Sequence, residues 1–297
     1  MTVDASPDIG LDHIGIFGHD LTTLSRCYEQ LGFSLTPLSQ HARPAAPGQA
    51  ATLRGTANRC AMLQRGYIEL LAVVDPSLDT LGVPQALSRY AGLHIVAFDI
   101  EDAQAAKRQL AGAGIGFTET YLERDVETPT GLERAKFTQI KPDANRFPEG
   151  RVFMLRHETR ELVWQPQQLR HANTAVRLKD VIVAVDDPAT AGERYESYLG
   201  CKPRQLSGLL RYTLADGTFF TLAEPRSLQA LYSWANLPAL PMPVAMIIEV
   251  HDLGTAESVI RGNGVNVGKH EGRLIVDAHE AAGVMLILEQ QNNARPA

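Results

Sequence analysis

The sequence predicts an α+β protein built from repeated strand–helix–strands units, and three observations carry that prediction. The β-rich run Leu11-Asp-His-Ile-Gly-Ile-Phe17 is echoed by Gly92-Leu-His-Ile-Val-Ala-Phe-Asp-Ile100. Each run places a histidine, His13 or His94, on its second or third residue. Each is followed by a helix-like stretch that ends near glycine, at Leu31-Gly32 and at Ala113-Gly114. The same order of elements then recurs twice in the second half of the chain.

Taken in order, Leu11 to Phe17 reads as a strand and Leu21 to Leu31 as an amphipathic helix. Arg59 to Val74 reads as a hairpin turning at Arg65-Gly66. Gly92 to Ile100 restarts the pattern, with a helix from Ala103 to Ala111 and a closing strand from Val152 to Trp164. Pro166, the glutamines after it and His171-Ala-Asn173 read as a linker. Leu178 to Asp186 opens a third unit, whose helix ends at Leu199-Gly200 and whose late strand is Phe219-Phe-Thr-Leu222. Val244 opens a fourth, which runs through a helix near Ala256 to Arg261 and past Gly264 to a strand from Gly283 to Glu289. The expected division is a first domain over 1–168, a second over 176–291 and a frayed tail over 292–297.

Composition bounds the partners. The chain has 297 residues, enough for two cores, with 44% hydrophobic and 21% charged residues. A formal net charge of −6 and the absence of any lysine-rich tract argue against nucleic acid as a partner. No apolar run approaches the roughly 20 residues that span a bilayer. The opening Met-Thr-Val-Asp-Ala-Ser-Pro-Asp lacks the basic and apolar parts of a signal peptide. Cys27, Cys60 and Cys201 are odd in number and far apart, so a reducing cytoplasm is the expected compartment.

Five fragments carry a family resemblance: Leu-Asp-His13-Ile, Gly55-Thr-Ala-Asn58, Gly66-Tyr-Ile-Glu69-Leu-Leu, Gly92-Leu-His94 and His157-x-Thr-x-Glu161-Leu-Val-Trp164. In that order, and with four units paired two and two, the chain resembles the vicinal oxygen chelate superfamily, and within it the glyoxalase-like subgroup. The resemblance covers nearly the whole sequence. It implies four βαβββ modules paired into two half-open barrels, and a divalent metal held by His13, Glu69, His94 and Glu161. Two imidazoles and two carboxylates suit Mn, Fe, Co, Ni or Zn without ranking them.

Strand alternation points to the same residues. On it, His13 shares a face with Leu11 and Gly15, Glu69 with Tyr67 and Leu71, and Glu161 with Val163. Glu161 has a rival in Glu158, and His157 and His171 read as surface or supporting residues, His171 with a possible capping role over the pocket. In the second half Asp180 stands where the first has His13, and Thr221 where it has Glu69, so that half lacks a ligand set. Three roles remain open for it: burying a surface of the first half, closing over the pocket, or forming a homodimer contact. His251, His270 and His279 there read as solvated.

Arg54, Asn58 and Arg59 surround the Gly-Thr-Ala-Asn turn, and Asn58 and Arg59 are the candidate substrate contacts. Leu122 to Phe147, with Pro129, Gly131 and Pro142, lacks clear periodicity and reads as an insertion that walls or lids the pocket. Tyr121, Phe137 and Phe147 would make it aromatic. The resemblance implies a metal-dependent isomerase, lyase or hydrolase acting on a small molecule with adjacent oxygens, with Glu161 or Glu69 moving the proton. Two alternatives stand beside it. One is an extradiol-type dioxygenase using Fe(II) on His13, His94 and Glu161; the other is a non-catalytic sequestering protein of the kind that holds antibiotics.

Overall fold

The structure, a computed structural model, describes residues 8–291 apart from 45–48, 50, 144–145 and 233–236. The expected tail at 292–297 lies outside the described residues. The first module runs β1 (Ile9–Phe17), α1 (Leu21–Gln30), β2 (Ser39–Pro44), β3 (Ala51–Met62) and β4 (Tyr67–Val73). After a short helix α2 (Val83–Leu87), the second runs β5 (Gly92–Ile100), α3 (Ala103–Gly112), β6 (Phe117–Thr128), β7 (Gly131–Pro142) and β8 (Arg151–His157), and the one-turn helix α4 (Arg160–Val163) follows. The third comprises β9 (Ala175–Ala184), α5 (Pro188–Leu199), β10 (Arg204–Leu206), β11 (Leu209–Thr213) and β12 (Phe219–Ala223). Helix α6 (Pro225–Leu231) leads to the fourth: β13 (Met242–Val250), α7 (Leu253–Gly262), β14 (Gly268–His270), β15 (Arg273–Val276) and β16 (Met285–Gln290).

Each module helix starts the same way. Asp20, Asp102, Asp187 and Asp252 occupy the N-caps, and each side chain accepts a backbone N–H from the first turn. Such a cap stabilises a helix by about 1 kcal/mol. The fourfold aspartate is a repeat signal as regular as the histidines, at a spacing set by the strand that precedes it.

Two modules make one sheet. The first is ordered β2-β3-β4-β1-β5-β8-β7-β6 and the second β10-β11-β12-β9-β13-β16-β15-β14, with identical topology. The first strands of paired modules run antiparallel at the centre, and each lies parallel to the last strand of its own module. The two faces of the first sheet have different fates. Ile14, Ile16, Ile68, Leu70, Val96 and Phe98 join one core with Val181, Val183, Phe220, Leu222, Met246 and Ile248 of the second half. Cross-links at this junction include Asn173 to the Leu31 carbonyl at 2.8 Å and Gln109 to the Tyr198 carbonyl at 2.8 Å. The second half therefore buries a face of the first. The other face carries Phe17, Tyr67, Leu71, Ile95, Ala97, Phe137, Phe153 and Leu155 around a cavity.

The segment read as an irregular insertion is instead the long hairpin β6–β7, paired from Phe117↔Pro142 to Thr128↔Gly131. Its outer part is exposed on both sides, so neither face shows an apolar alternation. It does wall the cavity, through Leu122 and Phe137. Tyr121 points to solvent at 45% exposure, while Phe147 lines the cavity and packs at 4.8 Å from both Tyr195 and Tyr198 of the second half. The closing strand ends at His157, not Trp164: Trp164 N–H bonds back to the Arg160 carbonyl, closing one helical turn.

Candidate active-site cavity

A cavity of about 430 Å³ opens on the inner face of the first sheet, a size suited to a small-molecule ligand. The sheet curls until its edge strands approach, and Arg43 on β2 donates to Thr120 on β6 at 3.1 Å. The curl makes the inner face a wall on most sides.

His13 and Glu69 reach the cavity as expected. A register shift between Leu11 and His13 changes who shares their face: Leu11 goes to the inter-half core, and His13 joins Phe17 and Gly15. The same irregularity brings Asp12 beside the ring. His13 Nδ1 lies 2.5 Å from Asp12 Oδ2, and Asp12 Oδ1 accepts from His157 Nε2 at 2.8 Å. His13 stacks on Tyr67 with centroids 4.4 Å apart, and its Nε2 lies 3.9 Å from Glu69 Oε2. Burial pushes the Asp12 carboxyl up, but the charges and hydrogen bonds of His157 and His13 overcome it and hold it well below the ordinary carboxylate range. Asp12 was not a sequence candidate. Its signal was the Asp-His pair itself, hidden because regular alternation puts neighbours on opposite faces.

Glu69 sits in a second polar group. Asn58 Nδ2 donates to Glu69 Oε1 at 2.5 Å, and His41 Nε2 lies 3.4 Å from the same oxygen. His41 is oriented by Thr56, whose hydroxyl lies 2.8 Å from Nδ1. Burial raises the Glu69 carboxyl, and the hydrogen bonds from His41 and Asn58 together with the charge of His13 bring it down to about 2. Asn58 is thus in the site. Arg59 is not: it points towards α1, paired with Glu29 at 2.9 Å and bonded to the Thr36 carbonyl. Arg54 lines the cavity, paired with Asp79 at 3.2 Å.

Two expected ligands are not brought to the cavity. His94 lies just where β5 bulges against β1, and Ile95 takes the inward position. The His94 ring is stacked between Tyr90, at 4.1 Å, and Phe17, at 4.9 Å, with Nε2 on the Tyr90 carbonyl. Burial lowers its pKa to about 4. Glu161 lies exposed on α4, beyond the end of β8, whose inward residues are Phe153 and Leu155. Where the resemblance implies a histidine and a carboxylate from the second module, this chain presents aliphatic and aromatic carbon.

The four-ligand metal centre therefore does not fit the residues that face the cavity. Among the described residues only Asp12, Asp99 and His157 bring three donor atoms within 4.8 Å of one another. Those donors are already engaged: Asp12 by two imidazoles, and Asp99 by Arg160 at 2.9 Å. His171 does not cap the pocket; it is buried beside Phe33, linking the Ser34 N–H to the Met62 carbonyl.

The second half repeats the register with other side chains. Asp180 pairs with Phe219 and Ile182 with Thr221, as His13 pairs with Tyr67 and Gly15 with Glu69. Asp180 is buried against the Thr221 hydroxyl at 2.9 Å and the Arg211 guanidinium at 3.3 Å. Tyr232, at the end of α6, and Leu228, within it, cover that face.

A family model described as a glyoxalase-like domain matches residues 11–199. The chain belongs to the glyoxalase-like domain family, within the vicinal oxygen chelate superfamily. Solved structures share its fold at low identity. A hypothetical protein from Staphylococcus aureus is 13% identical with a TM-score of 0.67, covering 95% of this chain and 100% of its own. A mutant of 4-hydroxymandelate synthase from Streptomyces coelicolor is 12% identical with a TM-score of 0.60, covering 98% and 95%. A fusion of a xylose isomerase-like TIM barrel with a 4-hydroxyphenylpyruvate dioxygenase is 11% identical with a TM-score of 0.61, covering 99% of this chain and 50% of its own. No curated protein sequence matches the chain. Among the described residues, no helix is long and apolar enough to cross a membrane.

Proposed function

We propose that this glyoxalase-like chain is an enzyme that moves a proton on a small molecule bearing adjacent oxygens, an isomerase or lyase, with His13 as the base. The observation that carries this reading is the hydrogen bond between His13 Nδ1 and Asp12, with Nε2 on the cavity side. With Nδ1–H donated to Asp12, the lone pair of Nε2 is free to take a proton from a substrate carbon next to a carbonyl. The carbon–hydrogen pair becomes the enolate double bond, and the carbonyl pair moves to oxygen. The imidazolium so formed lies between Asp12 and Glu69, both held ionised. Return of the proton to the former carbonyl carbon, with the proton of the neighbouring hydroxyl passing to the oxyanion, completes an isomerisation; departure of a β-substituent with its bonding pair completes an elimination.

Glu69 does not serve as the base in this reading, because a carboxyl held at about 2 keeps too little affinity for the proton. It and Asn58 fix the cavity side of His13. Neither Glu161 nor His94 takes part, and no step is routed through a metal. The dioxygenase alternative would require His94 and Glu161 beside His13, which the stacking of His94 between Tyr90 and Phe17 and the exposed place of Glu161 on α4 oppose.

The test is turnover on a panel of α-hydroxy ketones, thiohemiacetals and catechols, with the protein as purified and after chelator treatment. Conversion that survives chelation and falls at least 100-fold in His13→Ala supports the reading. Conversion that returns only with added metal, or an unimpaired His13→Ala protein, overturns it. A ligand bound without conversion favours the sequestering alternative, which the carbon-lined second module also suits.

A further inference from the structure

We propose that the side of the cavity opposite Glu69 is an anion subsite, in which Arg43, Lys141 and Arg151 hold a compact, doubly charged phosphate or dicarboxylate group of the substrate. This rests on the same cavity as the proton-transfer reading and names the class of molecule that fills it.

Three strands converge there. Register puts Glu69 on β4 level with Gly15 on β1, Ile95 on β5 and Arg151 on β8. Three strand spacings, about 14 Å along the wall, separate the two ends of that row. Bare Gly15 lets the Ile95 side chain lie across the floor between them; a Cβ there would come within 2.7 Å of it. Lys141 near the end of β7 and Arg43 on β2 complete the cationic side.

Two of these cations are anchored by neutral groups. Arg151 donates to the Leu81 carbonyl at 2.6 Å and lies over the Phe17 ring, and Arg43 donates to Thr120. Among the described residues no carboxylate lies within ion-pair distance of any of the three, although Glu69, Glu123 and Asp143 also line the cavity. Several arginines outside the cavity are ion-paired, as with Arg59, Arg134, Arg160, Arg194 and Arg273, while Arg124, also in the cavity, lies on the other side by Cys60, Tyr67 and Glu69. In a protein of net charge −6, these three cations stand close enough to act on one another with no carboxylate between them. Burial and the neighbouring Arg43 and Arg151 hold the Lys141 ammonium down at about 8, the sign of a cluster that repels itself when empty. Guanidinium forks suit phosphate and carboxylate oxygens, and an anion there would relieve the repulsion.

Inorganic phosphate, malonate and the neutral control glycerol are titrated into the full chain by calorimetry and thermal shift. Phosphate or malonate should bind with an affinity that falls as salt rises, and glycerol should not bind. Preference for phosphate assigns a phosphorylated substrate, and preference for malonate a dicarboxylate. Lys141→Met and Arg151→Met should each weaken the preferred anion at least tenfold. Lys141→Met should also melt higher than the parent in anion-free buffer, which a merely misfolded variant would not do. His13→Ala should bind the anion as the parent does. Failure of both anions to bind, or equal binding by the Lys141 and Arg151 variants, overturns the subsite and leaves the role of His13 to its own turnover test.

Discussion

The two sheets share strand order, register and helix caps, yet one encloses a cavity and the other is filled. The difference begins at the edges. In the first sheet the hairpin strands β6 and β7 run 12 residues each, and β2 reaches over to meet β6. In the second, β10 and β14 have three residues each, too short to curl over the inner face. That face is covered instead by α6 and Tyr232. The same position then meets opposite electrostatics. His13 has a carboxylate on either side and an open Nε2, whereas Asp180 is sealed in, and burial raises its carboxyl to about 7 despite Arg211. The two sheets hold equivalent positions, and the length of the edge strands goes with which face is open and which is filled.

The largest expected effect is kinetic and confined to one sheet. His13→Ala should lower turnover by roughly 100-fold to 10,000-fold, the scale of losing a general base. Asp180→Asn, at the matching position, should leave turnover within about twofold. Steady-state rates on any converted substrate decide this; a comparable loss from Asp180→Asn would mean that the second half also holds working chemistry.

Next comes packing. Leu228→Ala in α6 empties a fully buried site and should cost about 2–5 kcal/mol in urea unfolding. Leu122→Ala only widens a cavity already open, so its cost should stay below about 1 kcal/mol. Equal costs would mean that the first cavity is closed and packed in solution.

A third effect is on pH dependence. Between 3.8 and about 7, native Asp180 keeps a proton that the unfolded chain has released. Its contribution is therefore complete below 3.8 and is lost as pH rises towards 7, at up to about 1.4 kcal/mol per unit. Asp12 and Glu69 have the opposite sign: their depressed carboxyls contribute above the ordinary carboxylate range and lose that contribution on acidification. Asp180→Asn should gain on the parent by about 2 kcal/mol between pH 5 and pH 7, read from melting curves. A gap that stays constant with pH would show Asp180 to be ionised throughout.

The sequence displayed the module repeat and the alignment of Asp180 and Thr221 because each rests on local patterns: alternation, glycine stops, a repeated strand start. The inward placement of His13, Glu69 and Asn58 was legible in the sequence for the same reason, whatever their roles. What it hid depends on one-residue events. The irregularity near His13 brings Asp12 to its side, the one in β5 exchanges His94 for Ile95, and the end of β8 at His157 strands Glu161 outside. Period-two reasoning carries no information about a shift by one, which reverses every face beyond it. His41 and the cationic wall were invisible for another reason: β2, β7 and β8 meet around the cavity only once the sheet curls.

The smallest effect concerns Glu161, and it is decisive for the metal question. The residue is exposed on a one-turn helix, with the Arg160 guanidinium beside it turned to Asp99 and the Trp164 ring. Glu161→Gln removes only a solvated charge, so stability should change by less than about 0.5 kcal/mol and turnover by less than twofold. His94→Phe is its companion. It keeps an aromatic ring between Tyr90 and Phe17 and gives up one hydrogen bond to the Tyr90 carbonyl, for a cost of about 1 kcal/mol. Metal content measured by plasma emission should be the same in the parent and both variants. A drop in bound metal together with a turnover loss above tenfold in Glu161→Gln would require α4 to unwind and carry that carboxylate over the cavity. The symmetric ligand set would then be restored, and His13 would be a ligand rather than the base.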